Sequence, residues 1–157
     1  MRTKSLAIAS ATALACAAAT AHADTLLSEG FDKVAGLGAS GGLQTKLSSP
    51  VGLPWAQGFV GPFAAQSGAS DSYAVANFES AAFGGGGVID NWLNRPTLNF
   101  GASNTVTFWT RAIFNPSIFP DRLELRLSRG SSSNTSSFTT VLVRVNPDLT
   151  RTGYPNQ

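Results

Sequence analysis

The sequence predicts an all-β fold, a jelly-roll-like antiparallel β-sandwich, on three observations. Apolar and polar side chains alternate at period two in several segments, turn residues recur between those segments at short spacing, and no stretch carries the 3.6-residue apolar stripe of a helix. The same pattern permits a closed β-barrel as the structural alternative.

Elements are counted from residue 24, because the first 23 residues have the make-up of a secretory leader. Arg2 and Lys4 open it, 5–20 is uncharged, and Ala21-His22-Ala23 is a small-x-small cleavage site. The uncharged run is short for a bilayer span and rich in Ala and Thr. Acylation of Cys16 as a lipoprotein is the alternative, for which Ala13-Leu14-Ala15 is a poor lead-in. Taking 23 from 157 leaves 134 residues, a single domain at 24–157 able to bury about two-thirds of its unfolded surface.

Thr25–Asp32 (TLLSEGFD) is the first expected strand, and the Gly/Ser-rich 36–49 that follows is expected as a long loop. Pro50, Pro54 and Pro62 limit 55–60 to a short or edge strand. In 72–80, Tyr73, Val75 and Asn77 share one face while Ala74, Ala76 and Phe78 share the other. The run Gly84–Gly87 lacks the lysine and the following helix that a phosphate cradle requires, so it is expected as a turn. After it, Val88, Ile89, Trp92 and Leu93 are expected to enter the core, with Asp90 and Asn91 capping the turn.

The strongest alternation comes later. In 105–114, Val106, Phe108, Thr110 and Ala112 alternate with Thr105, Thr107, Trp109 and Arg111. In 121–129, Leu123, Leu125 and Leu127 oppose Arg122, Glu124 and Arg126, and Val141, Val143 and Val145 repeat the pattern against Thr140, Leu142 and Arg144. The linkers 115–120, with two prolines, and 130–137 (GSSSNTSS) separate these strands.

Removing the leader also removes the only Cys, His and Met, so residues 24–157 exclude disulfides, thiolate and imidazole metal sites, and Ser-His-Asp or Cys-His nucleophile systems. Of eleven Lys and Arg, Arg2 and Lys4 lie in the leader, and the remaining nine balance nine Asp and Glu. A formally neutral chain without basic-aromatic interleaving predicts no nucleic-acid partner.

Candidate chemistry is therefore carried by oxygens and aromatic rings. Asp90, with Glu29 or Asp32 brought alongside by the sandwich, is a candidate calcium ligand set, since calcium takes six to eight oxygens from carboxylates and carbonyls. Asp121 and Glu124 form a candidate acid pair for glycoside hydrolysis, but an offset of three along a strand puts them on opposite faces, which favours a surface ion pair. Trp55, in its Pro/Gly-rich loop, and Tyr73 are the candidate ligand-binding aromatics, suited to stacking on the apolar faces of sugars. Trp92 and Trp109, on alternating strands, are expected to pack.

The ordered set EGFD (29–32), LPWAQG (53–58), SGASDSYAVANF, ending at Phe78, VIDNWLNRPTLNF (88–100), VTFWTR (106–111) and FPDRLELRLS (119–128) resembles the choice-of-anchor J family, which is similar to the cleaved adhesin domains of secreted bacterial proteins. The resemblance implies a jelly-roll-like sandwich, exported by bacteria, non-catalytic, acting in adhesion or in binding an extracellular glycan or surface protein. A polysaccharide-acting enzyme or its carbohydrate-binding accessory module, and a structural envelope or matrix protein, are the alternatives. Members of that family continue past a similar Gly-Tyr-Pro with further strands and often a C-terminal sorting signal. Against that pattern, 153–157 is expected to end an N-terminal portion lacking its last strands, with a sheet edge or core face uncovered. Membrane contact is expected only through the leader during export or through such an anchor.

Overall fold

The computed structural model describes residues 25–81, 87–101, 104–113, 120–130 and 133–152. The leader, the first three glycines of the Gly84–Gly87 run, most of the 115–120 linker and the Gly-Tyr-Pro at 153–155 lie outside the described residues. Six short strands pair two by two into three antiparallel ladders, and the only helices among the described residues are 3-10 turns. The all-β expectation holds at that level.

The first ladder joins β1 (Leu43–Lys46) to β4 (Asn91–Asn94), with Thr45 opposite Trp92 and Lys46 opposite Asn91. It runs on past the strands, since the Leu47 amide donates to the Asp90 carbonyl at 2.8 Å and Ser49 and Val88 exchange bonds of 3.0 and 2.9 Å. Two segments expected as a loop and a capped turn thus form the ladder of longest reach. The expected loop at 36–49 is corrected further: Val34–Ser40 is a 3-10 helix, closed at Gly41, whose φ of 77° is the left-handed conformation only glycine adopts freely.

The second ladder pairs β2 (Ala56–Gln57) with β3 (Ala74–Val75). It is as short as the flanking prolines require. Where a longer strand was expected over 72–80, Asn77 accepts a bond from the Glu79 amide at 3.0 Å and turns the chain into the 3-10 helix Phe78–Ser80. The third ladder, β5 (Leu123–Leu127) with β6 (Thr140–Val145), matches the sequence reading, with a register shift between Leu125 and Arg126.

Two expected strands do not form. In 25–32 the Glu29 carboxylate accepts from the Phe31 amide at 2.9 Å, and Phe31 takes φ 56°, so a local side-chain bond replaces ladder pairing. Residues 105–113 carry the alternation but no strand. Period two supplies two faces; it does not supply the neighbour whose backbone completes a ladder.

Few apolar side chains are fully buried: Val34, Leu37 and Ala81 among the described residues. Polar hubs do much of the joining. Gln57 accepts from the Val34 amide at 2.8 Å and donates to the carbonyls of Phe31 at 2.8 Å and Asp71 at 2.6 Å. Asn91 accepts from the Ser48 hydroxyl at 3.0 Å and donates to the Leu53 carbonyl at 2.8 Å, holding the Trp55 loop against β4. Asn91 therefore bonds across the fold rather than capping its own turn. Val88, expected in the core, is 67% exposed.

Candidate functional site

The three carboxylates expected as calcium ligands each face a different protein partner. Glu29 pairs with Arg95 at 3.1 Å, Asp32 accepts from the Ser72 hydroxyl at 2.5 Å, and Asp90 accepts from the Trp92 indole N–H at 2.7 Å. The structure does not bring Glu29, Asp32 and Asp90 together, and among the described residues no group of three or more acidic, His or Cys side chains is placed to hold a metal ion.

Trp55 and Tyr73 are half-buried, and both spend their polar atoms on the protein. The Trp55 indole N–H donates to the Asn91 carbonyl at 3.3 Å. The Tyr73 hydroxyl donates to the Phe59 carbonyl at 2.6 Å and accepts from the Phe59 amide at 3.1 Å. Its ring covers buried Gly58, where a Cβ would overlap it, and lies 5.1 Å from the Phe63 ring. The Arg111 guanidinium sits 4.0 Å over the other ring of that pair, Phe63. Tyr73, Phe63 and Arg111 thus form a cation-aromatic stack that fastens 105–113 to the second ladder.

That stack holds up the most exposed tryptophan. Trp109, two residues before Arg111, is 77% exposed, which corrects its expected packing role. With Val106, Thr107 and Phe108 it lines an open groove of about 480 Å³, a shallow surface rather than an enclosing pocket. Among the described residues the lining offers flat and branched apolar surface, one hydroxyl and backbone groups, and no ionisable side chain. Such a surface can stack on a ring. The alternation gave no usable signal, because Val106 and Phe108, of the opposite phase to Trp109, are exposed as well.

Asp121 and Glu124 are driven in opposite directions. Partial desolvation raises the carboxyl pKa of Asp121 from its ordinary value, although the residue as a whole lies at the surface. Burial acts the same way on Glu124, but bonds from Arg144 and Arg126, and then their charges, outweigh it and hold its pKa below the usual value. A split pair of acids is what acid–base catalysis uses. Here, however, one Glu124 oxygen takes Arg126 at 2.5 Å and the other takes Arg144 at 2.8 Å, so neither is free to act as nucleophile or base. The ion-pair reading of Glu124 fits these contacts. Beside it, Trp92 joins the first ladder to the third, 5.8 Å from the Phe138 ring and 5.8 Å beneath the Arg126 guanidinium.

Compared with known proteins, the chain matches no family model, no curated protein and no solved structure. The resemblance to the choice-of-anchor J family rests on its motif order alone. Among the described residues no helix is long and apolar enough to cross a membrane.

Proposed function

We propose that the protein is a secreted or surface-exposed, non-catalytic module of jelly-roll-like sandwich type that binds an extracellular glycan in an adhesive role. One observation carries this reading: the exposed Trp109 indole, beside Phe108 and Val106, in an open groove with no ionisable lining residue among the described ones. The bare face of an indole matches the C–H face of a pyranose, and Thr107 adds a hydroxyl for orientation. The leader-like first 23 residues, the absence of His and Cys from 24–157 and the resemblance to adhesin domains support the same reading.

The test is a neutral-glycan array read with the unaltered protein, Trp109→Ala and Trp55→Ala. Trp109→Ala is expected to weaken binding roughly tenfold or more with an unchanged melting temperature, as for an exposed aromatic anchor. Trp55→Ala, which loses a bond to the Asn91 carbonyl, is expected to lower the melting temperature instead. Unaltered glycan binding by Trp109→Ala, binding to no neutral glycan, or turnover of a polysaccharide would overturn the proposal.

A further inference from the structure

The third ladder carries a charge arrangement that the stacking groove does not use. Glu124, with 16% of its side chain exposed, has three arginines on it: Arg126 through Nε at 2.6 Å and Nη2 at 2.5 Å, Arg144 through Nε at 2.8 Å, and Arg122 through Nε at 3.5 Å. Three guanidinium groups on one carboxylate leave a local excess of two positive charges, although residues 24–157 are neutral as a whole. A charge-balanced surface pair would need one arginine. Three within contact of one carboxylate lie inside a Debye length of about 8 Å at physiological ionic strength, where like charges repel.

The spare donors are well defined. Arg126 is committed, its Nη1 donating to the Phe138 carbonyl at 3.3 Å and its guanidinium lying over Trp92. Arg144 donates to Glu124 through Nε at 2.8 Å, whereas Arg122 makes a looser ion pair with the same oxygen, its Nε 3.5 Å away, and the terminal Nη groups of both make no hydrogen bond among the described residues. Their side chains are 43% and 51% exposed. An arginine pinned by its Nε to a carboxylate presents its two Nη groups as a planar fork, the geometry that binds an oxyanion through two parallel bonds.

The geometry points to an oxyanion-binding site on the β5–β6 hairpin, built by Arg122 and Arg144 around Glu124 with Arg126 as its fixed member, for the sulfate or carboxylate groups of an acidic polysaccharide. Glu124 is a positioning residue there: it orders the forks while neutralising only one of the three charges. A bound oxyanion supplies the missing negative charge. A polysaccharide fits better than nucleic acid because the basic excess is confined to this hairpin and forms no stripe along the remainder of 24–157, where acidic side chains outnumber basic ones. This site goes beyond the Trp109 groove and does not depend on it.

The purified protein is titrated with heparin, polygalacturonate, neutral dextran and duplex DNA at fixed ionic strength, alongside Arg122→Ala/Arg144→Ala, Arg122→Lys/Arg144→Lys and Trp109→Ala. Heparin or polygalacturonate is expected to bind and dextran not to; the tighter of the two acidic glycans identifies sulfate or carboxylate as the group recognised. The double alanine variant is expected to bind it roughly tenfold or more weakly, and to melt lower at neutral pH, because it gives up the Arg144 bond that helps stabilise the Glu124 carboxylate. The lysine variant, which keeps the charge and loses the forks, should fall several-fold, and it carries the test if the alanine variant does not fold. Trp109→Ala should bind the acidic glycan as the unaltered protein does, so failure here and failure of the stacking groove are read separately. Binding to neither acidic glycan, full affinity in the alanine or lysine variant, or DNA bound as tightly as the better glycan would overturn the inference.

Discussion

At the scale of single residues, Asp121 and Glu124 show how three positions along one chain can reverse the meaning of a carboxylate. Asp121 has its pKa raised by partial desolvation, so its charged form is disfavoured in the folded state. Its most favourable contribution is present below the unfolded pKa and is lost as pH rises through the folded value. Asp121→Asn is therefore expected to melt higher than the unaltered protein at neutral pH, with the difference closing by about pH 3, below the ordinary aspartate range. Glu124 has the opposite sign. Its lowered pKa gives stability present above the unfolded value and lost as pH falls through the folded one. Glu124→Gln should melt lower at neutral pH and converge with the unaltered protein in acid. Thermal melts across this pH range check both; parallel pH curves for all three proteins would contradict the assignment.

At the scale of elements, close backbone approaches hold pieces of the fold together where side-chain packing is thin. Buried Gly52 lies against the 3-10 helix Phe78–Ser80, and the neighbouring Leu53 amide donates to the Glu79 carbonyl at 2.9 Å. A Cβ at Gly52 would overlap that same carbonyl oxygen, a backbone atom that cannot swing aside. Gly52→Ala is expected to cost about 1–3 kcal/mol. Gly38 offers the contrast, since a Cβ there meets nothing within 4 Å and no positive φ stands in the way. Gly38→Ala should gain about 0.4–1 kcal/mol by restricting the unfolded chain. Urea titrations measure both, as opposite shifts of midpoint at constant slope. The hairpin of β5 and β6 has a different device, with the Trp92 ring from β4 beside Phe138 and under the Arg126 guanidinium. Its strands were legible because Leu123, Leu125 and Leu127 alternate strictly with charged residues. The β1–β4 ladder was not legible, because Leu43–Lys46 is four residues in Gly/Ser-rich surroundings and its partner lies more than forty positions on.

Across the whole molecule, the parts read correctly are those whose signal is local, and the parts misread depend on a distant partner. All-antiparallel pairing and the scarcity of helix follow from period-two patterning and turn residues. Segment 105–113 has the same patterning and forms no strand, because alternation says nothing of a neighbour. Of the site, the arginines around Glu124 were visible in the wet face of their strand, whereas Trp109 was expected to pack and its exposure was not legible, because Val106 and Phe108 of the opposite phase are exposed as well. The convergence of the arginines on one carboxylate was not legible either, because Arg144 arrives from β6, twenty positions away. The sparse apolar interior, with Val34, Leu37 and Ala81 as its buried members among the described residues and Ser48, Ser72, Ser80, Asn94 and Asn146 buried beside them, has a calorimetric consequence. Hydrating apolar surface raises the heat capacity on unfolding and hydrating polar surface lowers it. Scanning calorimetry should therefore return an increment per residue below the usual value of about 12–15 cal/mol/K. With so small an increment the free-energy dome flattens, and cooling costs this protein little.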